Sequence, residues 1–281
     1  MNIVTNPKKL QEITSQLNDD RIRIGFVPTM GYLHEGHRAL LKEARKNNDI
    51  VIMSIFVNPL QFGPKEDLNS YPRDLEHDKQ VAIDEGVDYL FHPSVEDMYP
   101  SPMSVKIKVQ RRTERLCGQS RPGHFDGVAT VLTKLFHIVQ PTNVYFGKKD
   151  AQQLAVVQGL IEDFHFPINL VAVNTVREED GLAKSSRNVR LSEIERKEAG
   201  ILYKSLANAR VELIKGKKDI KDIILQVKDE IETNSSGKVD YIEILTYPDL
   251  EEVKERTGSI IVAGAVHFSH ARLIDNIIFE L

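Results

Sequence analysis

The segment Pro28–His37, PTMGYLHEGH, lies between an apolar run and a helical pattern. The run, residues 22–27, is typical of a buried strand, and residues 39–44, ALLKEA, are typical of a helix. The segment is therefore a strand-to-helix turn, which is where open parallel α/β sheets hold their ligands. We predict an α/β fold with an open parallel sheet and this turn at its ligand-binding edge.

Two histidines in the segment, His34 and His37, are three residues apart and so lie on one face of the first helical turn. Gly31 and Gly36 allow the backbone to approach a bound group closely. Free amides at a helix start attract anions, and imidazoles beside them suit a phosphate whose charge grows in a transition state. The alternative is a capped helix start with two ordinary surface histidines, and the strand–turn–helix context favours the phosphate site.

Further patterns predict the rest of the fold. Strands of the parallel sheet are predicted at residues 49–57, 87–92, 143–147 and 168–176, and an edge strand is predicted at Ser104–Val109. Helices are predicted at residues 6–17, 128–139, 151–164, 193–215 and 219–233, and late strands at 239–245, 260–266 and 277–281. We therefore expect a first domain, residues 1–187, and a smaller α+β domain, residues 188–281.

More polar clusters follow predicted strands. Asn58 and Gln61 predict, about equally, a turn capped by its own side chains or a pocket for a small polar substrate. Lys148 and Lys149 lead into a helix, and a lysine pair beside helix-start amides predicts a local anion site more than a solvated pair. Gln153, one turn after Lys149, is expected to face the same cleft.

The loop after residues 168–176 carries donors for phosphate oxygens in a compact cluster, Lys184, Ser185, Ser186 and Arg187. Taken alone, a basic serine loop is more typical of plain surface. Its position beside the boundary near Asn188 favours a ligand site between domains, a frequent location. The charged stretch 63–80 is usually solvated surface, and residues 63–73 allow two interpretations, a solvated loop or a lid.

Composition excludes several classes of protein. The 281 residues, 41% hydrophobic and 28% charged, suffice for one large core and a smaller domain. No apolar run approaches the ~20 residues that span a bilayer, and the N-terminal residues have no signal-peptide core, so we expect a cytoplasmic protein. The net charge of −4 argues against nucleic acid as a partner. A single cysteine, Cys117, excludes an internal disulfide framework and a cysteine zinc site.

The pair of motifs HEGH and KSSR resembles the HIGH and KMSKS motifs of the nucleotidyltransferase superfamily, which bind ATP and transfer its α-phosphate. Six longer motifs, which cover nearly the whole chain in order, resemble the pantoate–β-alanine ligase family. They are PTMGYLHEGH, FVNPLQFGPKEDLNSYPRD, RPGHFDGVATV, VYFGKKDAQQL, REEDGLAKSSRN and ARLIDN. The resemblance implies a Rossmann-like sheet of the HIGH type.

The resemblance also implies a reaction in two steps. The carboxylate of pantoate attacks the α-phosphate of ATP, which gives pantoyl adenylate and pyrophosphate. The amine of β-alanine then attacks the acyl carbon and releases pantothenate and AMP. The family depends on Mg²⁺ and usually forms a homodimer, so Mg²⁺ and a second copy of the chain are expected partners.

The resemblance assigns functional residues by motif. Those expected at ATP are Met30, His34, His37, Gly147, Lys148, Lys149, Asp150, Val176, Lys184, Ser185, Ser186 and Arg187. Those expected at pantoate are Gln61 and Gln153, with Asn58 beside them. Those expected to act in catalysis are His34, His37, Lys149 and Arg187, with Asp150 toward Mg²⁺. The family often has an apolar residue at position 184, so the division of phosphate contacts between Lys149 and Lys184 stays open.

Three other functions compete with this one. An adenylyltransferase acting on a phosphorylated precursor shares HxGH and a serine–arginine loop, but would call for basic residues where Gln61 and Gln153 stand. A tRNA-charging enzyme is disfavoured by the size and the acidic balance. A catalytically silent nucleotide sensor would be expected to have lost a histidine or a glutamine, and this chain has kept both pairs.

Overall fold

The computed structural model describes residues 1–64, 66 and 68–281. Its strands are β1 Asn2–Val4, β2 Ile24–Thr29, β3 Ile50–Ile55, β4 Tyr89–Phe91, β5 Asn143–Gly147, β6 Asn169–Val173, β7 Lys238–Thr246, β8 Ser259–His267 and β9 Arg272–Glu280. Its α-helices are α1 Pro7–Asp19, α2 Glu35–Asn47, α3 Leu75–Asp84, α4 Val95–Met98, α5 Leu116–Ser120, α6 His124–Val139, α7 Ala151–Asp163, α8 Glu193–Glu198, α9 Ile201–Lys215 and α10 Ile220–Asn234. Short 3-10 helices lie at Pro59–Gln61, Lys148–Asp150 and Ser186–Arg190.

The chain divides into two compact units. The first comprises residues 1–110, 121–148 and 156–174, and the second comprises residues 111–120, 149–155 and 175–281.

The first unit contains a parallel sheet with the strand order β1-β4-β3-β2-β5-β6. The chain runs outward from β2 to β3 and β4, then returns to place β5 on the other side of β2. The order of strands therefore reverses between β2 and β5, and ligands of open α/β sheets bind at such a reversal. The segment PTMGYLHEGH, which begins in the last two residues of β2, and Lys148, which follows β5, both lie at this point.

Apolar residues of β2, β3 and α2 explain why this sheet forms. Val27, Leu41 and Met53 are fully buried in one hydrophobic cluster, which also contains Leu90 of β4 and Tyr145 of β5. Fully burying a side chain of this size contributes about 1.5–3 kcal/mol. Strands buried on both faces have the continuous apolar runs seen here.

The second unit contains the antiparallel sheet β7-β8-β9. The helices α9 and α10 pack against it through a cluster that includes Leu206, Ile231 and Val262, all fully buried. The open parallel sheet and the smaller α+β part predicted from sequence are both confirmed.

Several details of the sequence prediction were wrong. Residues 104–109 form no strand, since within the described part of the chain they have no neighbouring strand to pair with, and Val109 bonds its amide to the Asp126 carboxylate at 2.8 Å. The predicted helix 193–215 is two helices, α8 and α9, with a break at residues 199–200. The edge strand β1 was not predicted, because three residues are too few to show a period.

No α-helix within residues 1–64, 66 and 68–281 is both long and apolar enough to cross a bilayer.

Candidate active site

The two histidines of PTMGYLHEGH cap helix α2 reciprocally. His34 is the N-cap residue, and its Nδ1 accepts a hydrogen bond from the Gly36 amide at 3.1 Å. His37 Nδ1 accepts a hydrogen bond from the His34 amide at 3.2 Å. The arrangement is a capping box built from imidazoles, and it holds the two ring centroids 4.1 Å apart. The two histidines therefore cap the helix, and both imidazoles lie side by side on its first turn, as the sequence predicts.

These two contacts also fix the tautomer of each ring. A neutral imidazole nitrogen that accepts a hydrogen bond carries no proton, so in both rings the proton lies on Nε2. Each ring then presents an Nε2–H donor while its other nitrogen is held by the backbone. Two adjacent donors of this kind can stabilise an anion without either ring carrying a full charge.

Most backbone amides of the turn are already bonded within the protein. Asp78 accepts from the amides of Tyr32 and Leu33 at 2.8 and 2.7 Å, and Thr29 accepts from the Gly31 amide at 3.2 Å. With the amides of His34 and Gly36 also used, the prediction of free amides is wrong at all five of these positions. An anion at this turn would therefore have to displace a protein acceptor to reach any of these five amides.

Gln61 lies in the short helix after β3 and is 8% exposed. Its side-chain oxygen accepts from Asn58 Nδ2 at 3.2 Å, and its Nε2 lies 3.2 Å from the Met30 sulfur. Because the oxygen is held by an amide donor, the orientation of the Gln61 amide is fixed with its NH₂ toward Met30. The predicted residues Met30, Asn58 and Gln61 are thus brought together.

Asn58 has its hydrogen-bonding capacity satisfied by the protein. The residue is 1% exposed. Its Oδ1 accepts from the Leu60 amide at 3.3 Å and from the Tyr99 hydroxyl at 2.8 Å, and its Nδ2 also donates to the Gly127 carbonyl at 3.1 Å. Of the two interpretations of this turn, self-capping applies to Asn58, which positions Gln61.

A second set of contacts holds the backbone of Gln61. Its carbonyl accepts from His124 Nδ1 at 2.8 Å and from Arg121 Nη2 at 3.3 Å. Arg121 Nε also donates to the Glu66 carboxylate at 2.9 Å. Burial disfavours the ionised form of Glu66, but the hydrogen bonds and charge of Arg121 outweigh it and lower the pKa of this carboxyl. Sequence reasoning gave these residues no role, although Arg121 and His124 lie in the motif RPGHFDG.

The possible lid at residues 63–73 includes Lys65 and Asp67, which lie outside the described residues.

The segment after β5 is divided between the two units. In the first unit, Gly147 ends β5, and Lys148 Nζ donates to Asn174 Oδ1 at 2.9 Å. In the second unit, Lys149 Nζ lies 3.9 Å from the Asp150 carboxylate. The carbonyl of Lys149 accepts from Asn276 Nδ2 at 2.8 Å. Gln153 is half-buried in the first turn of α7.

Hydrogen bonds and an ion pair to nearby residues hold the loop Lys184–Arg187 in place. The Lys184 amide donates to the Val176 carbonyl at 2.9 Å, and Lys184 Nζ lies 2.8 Å from Glu178 Oε1. Ser185 caps the short helix that contains Ser186, since its Oγ accepts from the Arg187 amide at 3.3 Å.

A small cavity in the second unit is lined by Lys149 and Ser185, along with Asn188 and Asp275. The structure therefore brings Lys149 close to Ser185 of the Lys184–Arg187 loop. Met30, His34, His37, Asn58, Gln61, Gly147 and Lys148 belong to the first unit, and the other predicted site residues belong to the second. Convergence of the two sets on one triphosphate stays a prediction.

Acidic groups offer little to a metal ion by themselves. In the part of the chain that the structure describes, no three His, Cys, Asp or Glu side chains cluster to hold one. Asp150 offers a single carboxylate that is 49% exposed. Such a donor fits Mg²⁺, which keeps several waters and is commonly held by one or two carboxylates together with substrate phosphates.

Comparisons with known proteins identify the family of this chain. The family model described as pantoate-beta-alanine ligase matches residues 2–278. A pantothenate synthetase of Geobacillus sp. (strain WCH70) is 58% identical over 281 residues, with 100% of both chains covered. One of Bacillus pumilus (strain SAFR-032) is 56% identical, with 100% of this chain and 97% of the relative covered.

Solved structures give the same result. The pantothenate synthetase of Thermus thermophilus superposes with a TM-score of 0.92 at 44% identity and covers 99% of each chain. The pantoate-beta-alanine ligase of Francisella tularensis, complexed with beta-gamma ATP and beta-alanine, superposes with a TM-score of 0.83 at 35% identity, covering 99% of this chain and 97% of that one. This chain belongs to the pantoate–β-alanine ligase family of enzymes.

Proposed function

We propose that this chain condenses pantoate with β-alanine at the expense of ATP. The carboxylate oxygen of pantoate attacks the α-phosphorus, the bond to the bridging oxygen breaks, and pyrophosphate leaves. The amine of β-alanine then attacks the acyl carbon of pantoyl adenylate. AMP leaves and carries the carboxylate oxygen that attacked phosphorus in the first step. The amine loses a proton, and pantothenate is formed.

The observation that carries the proposal is the reciprocal capping of α2 by His34 and His37, which holds both rings at the start of the helix with each Nδ1 on the backbone. The first step needs little covalent help, since the main requirements are alignment and neutralisation of the charge that builds on the phosphates. We assign both histidines to these phosphates. Lys149, Lys184 and Arg187 supply positive charge, and Lys148, Ser185 and Ser186 further donors.

We assign Gln61 and Gln153 to pantoate. An amide orients a carboxylate by hydrogen bonds but forms no ion pair with it, so the carboxylate keeps its nucleophilicity. The fixed orientation of the Gln61 amide supports this role. Asn58 acts through Gln61, because its own hydrogen-bonding groups are engaged. Met30, Gly147 and the backbone of Val176 complete the proposed ATP site.

Further parts of the proposal concern the metal and the setting. Mg²⁺ would be held by the triphosphate and waters with Asp150, and it neutralises phosphate charge when bound. The proposal includes a homodimer in the cytoplasm with neither nucleic acid nor membrane as a partner. It also keeps the division into residues 1–187, which bind ATP and pantoate, and residues 188–281, which close over the site.

The test is product analysis with purified protein, Mg²⁺, ATP, pantoate and β-alanine. We expect AMP, pyrophosphate and pantothenate in equal amounts, with none formed when pantoate is left out. Because the mixture holds no phosphorylated acceptor, an adenylyltransferase would release neither AMP nor pyrophosphate, and a silent sensor would also release neither. His37→Ala should abolish product, whereas the exposed Lys46→Ala on the same helix should not.

A further inference from the structure

Asp78 is the one acidic side chain that is buried against the PTMGYLHEGH turn among the residues the structure describes. It lies on α3 and is 1% exposed. Its two carboxylate oxygens divide between two successive amides, with Oδ2 accepting from Tyr32 at 2.8 Å and Oδ1 from Leu33 at 2.7 Å. Each oxygen of the carboxylate is therefore committed to the backbone of the turn.

The turn has the conformation that gathers amides around an anion. Gly31 and Tyr32 both have positive φ angles, 86° and 53°. Successive amides in turns of this kind form a concavity that binds anions. In this protein the concavity is filled by the carboxylate of Asp78, an anion that belongs to the chain itself.

The glycine at position 31 is needed for the same contact. A Cβ on Gly31 would lie 2.9 Å from Asp78 Oδ2 and 3.0 Å from the Ile55 side chain. The left-handed backbone and the close approach of the carboxylate therefore both require glycine here.

The neighbouring residue on α3 holds the other side of the same backbone. His77 Nε2 lies 3.1 Å from the Leu33 carbonyl oxygen, so this nitrogen donates and carries the proton. Asp78 and His77 thus hold both the amide and the carbonyl of Leu33. The next residue is His34, the N-cap of α2, whose own amide orients the His37 ring.

Burial of the Asp78 carboxyl group disfavours its ionised form. It raises the pKa of Asp78 above the usual value for an aspartate, and the bonds from Leu33 and Tyr32 oppose the rise without cancelling it. A neutral residue of similar shape would avoid the desolvation of a buried charge. The Asp78 side chain is therefore better explained by the backbone that it orders than by a gain in stability.

We propose that Asp78 is a positioning residue: its carboxylate binds the amides of Tyr32 and Leu33 and so fixes the backbone from which His34 and His37 present their imidazole rings. The phosphate role of those histidines rests on the proposed function. The positioning itself does not, because it concerns the ligand-free protein.

The test compares Asp78→Asn with Asp84→Asn, a matched change on the exposed end of the same helix. An asparagine offers one acceptor and sets an NH₂ group against the second amide, so one of the two bonds is lost. In ligand-free protein, ¹⁵N spectra should show that His34 and His37 lose their uniform Nε2–H form in Asp78→Asn and keep it in Asp84→Asn. Unchanged imidazole spectra in Asp78→Asn would overturn the proposal.

Kinetics supply a second readout that a purely structural role would not separate. In Asp78→Asn we expect kcat for pyrophosphate release to fall more than about 10-fold. We expect KM for pantoate to change less than about 2-fold, because Gln61 is untouched. An unchanged kcat, or a loss confined to KM for pantoate, would contradict the positioning role. If wild-type protein made no AMP while the spectra changed as expected, the function would fail and the positioning would stand.

If the Asp78→Asn variant does not fold, two other measurements test the positioning role. Couplings across the hydrogen bonds from the Tyr32 and Leu33 amides to the Asp78 carboxylate are expected in wild-type spectra, and their absence would refute the contact. His77→Ala removes the other hold on Leu33 and should change the imidazole spectra in the same direction, to a smaller extent. No change in His77→Ala would count against positioning through Leu33.

Discussion

A methyl group on Gly127 would lie 2.2 Å from the carbonyl oxygen of Leu60, which is far inside contact distance. The backbone of α6 therefore packs directly on the backbone of the short helix that carries Gln61. Asn58 reinforces the contact, since its Nδ2 donates to both the Gly127 carbonyl and Gln61 Oε1. The glycine of RPGHFDG thus sets the position of a glutamine that is more than sixty residues away in sequence.

Replacing Gly127 with alanine tests this packing. Glycine to alanine within a helix normally gains about 1 kcal/mol, but here the methyl group must displace the backbone at residues 60 and 61. We expect the free energy of unfolding to fall by about 1–3 kcal/mol, the usual cost of overpacking. We also expect KM for pantoate to rise about 10-fold, with KM for ATP little changed. Denaturant unfolding and initial rates measure these effects, and a stabilised variant with normal pantoate kinetics would contradict the packing.

Replacing Gly36 with alanine tests the placement of His34. The added methyl group would lie 2.8 Å from His34 Cε1 and 3.0 Å from its Nδ1. A side chain can move at little cost, so we expect stability to stay within about 1 kcal/mol of wild type. The displaced ring should no longer donate to phosphate, and kcat/KM for ATP should fall by about 10²-fold. Full activity in Gly36→Ala, measured beside the control Lys46→Ala, would show that the ring position is unimportant.

Replacing Gln61 with glutamate tests the role of its NH₂ group. The change keeps an oxygen for Asn58 but replaces the NH₂ donor with an acceptor and adds negative charge. We expect KM for pantoate to rise more than about 10-fold at neutral pH, because two carboxylates then repel each other. Burial and this repulsion raise the pKa of the introduced carboxyl, so affinity should recover as pH falls. A pantoate KM that is normal and independent of pH would refute the assignment.

Glu195 gives a prediction about stability in the second unit. Its carboxylate accepts from the amides of Ser192 and Ser269, each at 2.8 Å. These bonds lower the pKa of Glu195 to about 2, with that of Ser192 the largest cause. Because the folded pKa lies below the unfolded one, the stabilisation is present above the unfolded pKa and is lost as pH falls toward 2.

Glu195→Gln should therefore be less stable than wild type at neutral pH, and the difference should shrink as pH falls from about 4.5 to about 2. Urea unfolding across this range measures it. Glu193→Gln, an exposed position in the same helical turn, is the control for the effect of the substitution itself. A Glu195→Gln deficit that stays constant with pH would contradict the assigned pKa.

Sequence patterns predicted the parallel sheet because most of its strands lie in apolar runs that are flanked by clear helices. They failed where the deciding partner is remote. Residues 104–109 alternate like a strand, but pairing depends on a neighbour that a local pattern does not reveal. Ala199 and Gly200 interrupt a helical pattern that is otherwise continuous.

The candidate active site shows the same contrast between features that local sequence predicts and features that depend on a remote residue. His34, His37 and Gln61 were predicted from their position after strands, yet the fate of the amides in the turn depends on Asp78, which lies in a charged stretch interpreted as surface. The available signal was that Asp78 shares one helix face with Val81 and Ala82, both buried. A charged residue on a buried stripe indicates a specific partner.

The central claim is that the carboxylate of pantoate attacks the α-phosphate of ATP. It is tested most directly with pantoate that carries ¹⁸O in both carboxylate oxygens, incubated with the protein, Mg²⁺, ATP and β-alanine. We predict one labelled oxygen in AMP and the other in the amide carbonyl of pantothenate. Label in inorganic phosphate, or AMP without label, would mean that no pantoyl adenylate is formed.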